Sequence, residues 1–202
     1  MDLTEQCARR RLAAYQPRFA DLTAPFQAVA VLTTDLDGEA FEIAFARDDT
    51  STLTLRGCPG NPISPDSRAV HGVALEDLVN MPALAVHRFG LDVLLRDRPT
   101  RMFNAPFVQR ALDHAMTRAG RPPLPWDTYT IVDVQAQVRA ADLDLDPDYR
   151  YRPSLQGLEW TVPIGTVDRT RALGSAQVLL QAVQFIRAGT AITSNPLLRR
   201  AH

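Results

Sequence analysis

The run FQAVAVLTTDLDGEAFEIAFARDDTSTLTLR, Phe26 to Arg56, decides the architecture. Residues 26–32 are apolar apart from Gln27 and rich in Val, and TTDLDG then supplies turn residues. A short apolar run without polar alternation, bounded by turn signals, suits a central strand buried on both faces. Residues 41–47 (FEIAFAR) and 52–56 (TLTLR) read as two further strands, the second with clean alternation. Their tight spacing predicts an antiparallel meander.

Outward from this run the pattern changes. Before it, residues 3–19 carry Leu3, Cys7, Leu12, Ala13 and Tyr15 among charges, which predicts a peripheral amphipathic helix closed by Pro17. After it, CPGNPISPDSRAVHG (residues 58–72) is expected to be irregular loop. Helices are predicted at 74–80 and 82–95, a short strand at 101–103, and an Asn104-capped helix to about Ala119. GRPPLP breaks the chain, and further helices are predicted at 129–140, 154–160 and 173–188. Three strands followed by helices interleaved with short strands predict a mixed α/β domain. The expected division is an N-terminal helical extension (1–24), one folded domain (25–190) and a mobile tail (191–202).

Composition narrows the class. With 202 residues, 46% hydrophobic and 22% charged, the chain is expected to bury one full core without disulfide or metal staples. No apolar run approaches the ~20 residues of a membrane span, and the N-terminus has no apolar signal region. Two cysteines, Cys7 and Cys58, make neither a disulfide framework nor a metal site, so a reducing, cytoplasmic compartment is expected. The net charge of -1 creates no global field for nucleic acid. All 22 basic residues are Arg, a bias that fits GC-rich coding and also suits bidentate phosphate contacts.

Four segments in order, VAVLTTDLDG (29–38), PISPDSRAVHGV (62–73), FNAPFVQRALDHAMTRAGRPPLPWDT (103–128) and SLQGLEWTVPIGTVDRTRALGSAQVLL (154–180), carry a likeness to one family. They resemble the Asp-x-Glu strand end, the Ala-Val-His-Gly-Ile turn, the His-Asn-Ala-Pro-Phe-Asp helix and the His-Arg-Ala-Leu-x-Asp-Ala helix of the DnaQ-like 3′–5′ exonucleases. The resemblance implies a three-layer ribonuclease H-like fold, with a central mixed sheet, its three-strand meander antiparallel, flanked by helices.

It also implies a two-metal template, in which four carboxylates hold two divalent ions and a His or Tyr serves the attacking water. In the matching register the first Asp is Thr33 and the Glu is Asp35. The second motif's carboxylate is Val108, the general-base His is Thr170, and the final Asp is Ser175. An isopropyl group has no lone pair, and Ser175 offers only a neutral hydroxyl. No intact catalytic set is therefore expected. Moving the gap lets Asp35 and Asp37 stand as Asp-x-Glu, which leaves a residual one-metal site open beside the plainer reading of a strand-end turn.

Other residues have two readings as well. The resemblance places His71 at the rim of a cleft, and Asn104, Phe107 and Arg171 join it as candidate nucleotide-binding residues. From the residues alone, His71 closes a turn, Asn104 caps a helix, and Phe107 and Trp126 are core. Asp113 and His114 read as an exposed helix face and Asp168 as an exposed loop residue. The alternating Asp142, Asp144, Asp146 and Asp148 fail the calcium-loop pattern at Pro147 and Pro153.

The leading expectation is an exonuclease-fold protein without catalysis, acting as a nucleic-acid- or protein-binding module in DNA repair or replication. A divergent Mg²⁺- or Mn²⁺-dependent 3′–5′ exonuclease using Asp35 and Asp37 is the first alternative. A structural, self-associating subunit is the second. No cofactor is expected unless the chain is active. Weakly held single-stranded nucleic acid, another protein or a second copy are the expected partners, and a membrane is not.

Overall fold

The computed structural model describes residues 25–140, 167–168 and 170–187. The helices expected at 3–19 and 154–160, the acidic run 142–148 and the tail from 191 lie outside the described residues. The meander forms as β1 (Gln27–Thr33), β2 (Ala40–Arg47) and β3 (Thr52–Arg56). Next come α1 (Pro65–His71), α2 (Arg88–Asp97), β4 (Thr100–Met102) and α3 (Ala105–Arg118). β5 (Ile131–Asp133), α4 (Val134–Ala140) and α5 (Ala172–Arg187) complete the described chain.

The five strands lie in the order β3-β2-β1-β4-β5. β1 pairs antiparallel with β2 and parallel with β4, and β4 pairs parallel with β5. β1 is therefore the strand at which pairing changes sense. Its apolar run is covered on both faces, as a strand inside a mixed sheet requires. On one face Phe26, Ala28, Leu32, Phe41 and Ala44 meet Ala172, Ala176, Leu179 and Val183 of the α5 segment. On the other, Val29, Ile43 and Phe45 meet Leu91 and Leu95 of α2 and Val108, Leu112 and Met116 of α3. Phe26, Phe41 and Phe45 are fully buried, each stabilising the fold by about 2–3 kcal/mol.

A bulge refines this two-sided pattern. Leu32 pairs with Glu42 but Thr33 pairs with Ala40, so Phe41 is an extra residue in β2. A bulge breaks strict alternation. Phe41 joins the α5 face while Ala40 and Ile43 serve the α3 face.

Four local expectations need correction. The Pro-rich loop contains helix α1, with Ser64 accepting a bond from the Ser67 amide, Pro65 opening the helix and Gly72 closing it at φ 70°. Those are ordinary helix boundary signals. The helix expected at 129–140 is instead β5 followed by α4, because Ile131 and Asp133 pair with Thr100 and Met102. Pairing with a neighbouring strand overrides a helix-like spacing of apolar residues. The segments 74–80 and 82–95 form single 3₁₀ turns at Leu75–Asp77 and Leu84–His87, with only α2 a true helix. Asn104 does stand at the N-terminus of α3, but in the left-handed region at φ 59° and without a side-chain cap bond.

Candidate functional site

The parallel strands β4 and β5 end level with one another at Met102 and Asp133, beside Val29 of β1, and β1 runs four residues further to Thr33. In open α/β sheets the crevice beyond the carboxyl ends of such strands, where strand order switches, is where ligands bind. Here the crevice is bordered by the β1–β2 turn, the start of α3 and the approach to α5.

The β1–β2 turn is built from its own polar groups. The Thr33 hydroxyl donates to the Asp35 carbonyl at 2.7 Å, and Asp35 Oδ1 accepts from the Asp37 amide at 2.9 Å. The Thr34 amide donates to the Glu39 carbonyl at 3.0 Å, and the Ser64 amide to the Thr34 carbonyl at 2.8 Å. Gly38 is required by packing, since a Cβ there would lie 2.1 Å from Thr34 Oγ1. Asp35 and Asp37 are both exposed. Behind them Glu39 is buried and accepts from the Asn61 amide at 2.6 Å, with Arg118 Nε at 3.8 Å. Burial pushes the Glu39 pKa up, opposed by the Asn61 amide and then by the Arg118 charge.

At the start of α3, Val108 is only 3% exposed and belongs to the apolar layer against the sheet. Phe107 is half-buried and packs on the same layer, as does Trp126. Asp113 is not a free helix-face carboxylate, which corrects the expectation. It accepts from the Trp126 indole at 2.9 Å and from the Leu124 amide at 3.2 Å, fastening the loop after α3. His114 is exposed, and its Nδ1 lies 3.0 Å from the Asp37 carbonyl.

At the approach to α5, Thr170 is exposed and its amide donates to Asp168 at 3.0 Å. The Thr170 hydroxyl and amide hold the Asp168 carboxyl below its ordinary pKa. Arg171 and Ser175 are half-buried, and the Ser175 amide donates to the Arg171 carbonyl at 3.3 Å. His71 is buried at 4% exposure, rather than standing open at a rim. Its Nδ1 accepts from the Val73 amide at 3.1 Å, and its ring meets Phe41 edge-on at 5.2 Å. That bond places the proton of the neutral ring on Nε2. Burial pushes the His71 pKa down, opposed by the Thr33 backbone, with Arg171 adding to the fall and Glu42 opposing it.

Sequence reasoning missed Glu42. It is 1% exposed, accepts from the Ala172 amide at 2.9 Å and pairs with Arg56, whose Nε lies at 2.7 Å. It therefore caps α5 with a charged acceptor, which also suits the positive end of the helix. The signal was present as the one charge inside the apolar run FEIAF. Glu39 carried no comparable signal, because a Glu after a turn usually faces water.

Among the described residues, the donors at these positions do not match the four-carboxylate template for a pair of divalent ions. Val108 offers no donor, the Thr33 hydroxyl is committed to a backbone carbonyl, and Glu42 is committed to Arg56 and Ala172. Among the described residues no three His, Cys, Asp or Glu side chains come together as a metal site. Hard divalent ions need several oxygen ligands with negative charge.

No protein-family pattern matches the sequence, and no curated protein matches it. Solved structures do. Exonuclease X in complex with 5′ overhanging duplex DNA is similar with a TM-score of 0.59 and 19% identity, over 84% of this chain and 95% of that one. E. coli exonuclease I in complex with a dA16 oligonucleotide is similar at 0.62 and 11% identity, over 84% of this chain and 41% of its own. A full-length 3′-exonuclease is similar at 0.62 and 9% identity, over 83% and 62%. The class defined by the sheet order and these likenesses is α/β of the ribonuclease H-like type. Within it the chain has the DnaQ-like exonuclease fold.

Proposed function

We propose that this chain is a non-catalytic nucleic-acid-binding module built on the exonuclease fold. One observation carries the reading: Val108, at the position that matches the second-motif carboxylate, is packed into an apolar layer. A strand-binding cleft does not depend on hydrolysis, since groove charge and stacking side chains hold nucleic acid by themselves. Two of the similar structures hold DNA, which supports nucleic acid as the ligand.

The test is a 5′-labelled single strand incubated with Mn²⁺, beside calorimetric titration of Mn²⁺ alone. The expected outcome is no shortening of the strand and no stoichiometric uptake of the ion. Shortening from the 3′ end that disappears in Asp35→Ala would overturn the reading in favour of an active nuclease using Asp35 and Asp37.

A further inference from the structure

We propose that the outer face of α3 and the turn that ends it form a phosphate-contact track for a nucleic-acid strand, one that works without divalent ions. The proposal rests on the binding role argued above and assigns it to particular residues.

Arg110, His114 and Arg118 follow at intervals of four residues, so they share one face of α3 over about 12 Å. Arg121 continues the series past the helix end, where Gly120 at φ 67° turns the chain and the Arg121 amide returns to the Met116 carbonyl at 2.9 Å. All four side chains are exposed. The side chains of Arg110 and Arg121 make no ion pair or hydrogen bond with the described residues. Arg118 is only loosely held, at 3.4 Å from the Gly60 carbonyl and 3.8 Å from Glu39.

The surrounding charges leave this face positive. Asp113, the one acidic residue of α3, is committed to Trp126 and Leu124. Glu39 is buried behind Arg118. Asp35 and Asp37, on the turn beside His114, are the exposed carboxylates that oppose the track. A row of arginines on a chain of net charge -1 is a local asymmetry, not a reflection of overall basicity. Arg is also the side chain shaped for bidentate phosphate contact.

Position joins the track to the crevice. His114 touches the turn that ends β1, and Arg118 touches the loop that leads into α1. A strand lying in the crevice can therefore continue onto α3 past the β1–β2 turn, where the exposed Asp35 and Asp37 are the acidic groups it meets.

Fluorescence anisotropy of a labelled oligothymidylate with the full chain, in EDTA and between about 0.05 and 0.2 M salt, tests this. Wild type should bind, with affinity falling linearly in log salt. The double variant Arg110→Gln, Arg121→Gln should lose a salt slope of about 0.7 for each contact, equivalent to roughly eightfold in affinity per contact at 0.05 M salt. Arg47→Gln removes the same kind of charge at the opposite end of β2, where Arg47 pairs with Asp97, and should leave the slope unchanged. Wild-type slope in the double variant, or equal losses in all three substitutions, overturns the track and spares the binding role. Absence of wild-type binding at the lowest salt overturns both.

Discussion

The α3 face and the α5 face of the sheet border the same crevice and are closed by different chemistry. On the α3 side Val108, Ala111, Leu112, Ala115 and Met116 form an apolar layer that comes up to the strand ends. On the α5 side the apolar layer contains a buried carboxylate, Glu42, and a buried imidazole, His71. Glu42 has all its demands met by Arg56 and Ala172, and His71 accepts an amide bond while remaining neutral. The contrast shows that this fold keeps a buried carboxylate where Arg56 and the Ala172 amide satisfy it, while the layer around Val108 is apolar.

Placing charge on the apolar side tests the contrast most severely. Val108→Asp should lower unfolding free energy by at least about 3 kcal/mol, because the new carboxylate is buried without a partner. The denaturant midpoint should not recover when Mn²⁺ is added. Recovery would mean that ligand geometry persists beneath the valine, and the two faces would then be less different than they look.

Removing charge from the polar side should cost nearly as much. Glu42→Ala leaves the Ala172 amide and Arg56 without their acceptor, for a loss of about 3 kcal/mol by chemical denaturation, the low end for a broken buried pair because Arg56 is partly exposed. Glu42→Gln keeps an oxygen for Ala172 and should fall between. Equal losses for both would show that the charge matters more than the cap.

The smallest effect expected is a pH dependence. Because the His71 pKa is lowered in the fold, the unfolded chain takes up a proton first as pH falls. The His71 contribution to stability is thus present above about pH 6.5, the ordinary histidine range, and is lost as pH falls through the lowered value. His71→Asn should flatten that part of the stability profile. An unchanged profile would place the titration elsewhere.

Much of this architecture was legible in the sequence, for identifiable reasons. Residues 26–56 combine apolar runs with unambiguous turns, and β1, β2 and β3 fall within a residue of expectation. β5 was hidden because three residues, Ile131 to Asp133, depend on β4 for their conformation and run directly into α4. α1 was hidden by its prolines, although Ser64, Pro65 and Gly72 spelled out both of its ends. At the site, the identity of Val108 agreed with its place in the apolar layer against the sheet. Burial of His71 and the commitment of Glu42 to Ala172 depend on contacts across 30 to 130 residues, which no local pattern encodes.

The bond from Ala172 to Glu42 links positions 130 residues apart. During synthesis the meander leaves the ribosome long before α5 exists, so Phe41 and Ala44 must wait with one side wet. Loop closure over that distance comes late in folding and has little local reward before it. A chain halted short of residue 172 would therefore carry an open greasy sheet, a natural target for chaperones and for self-adhesion.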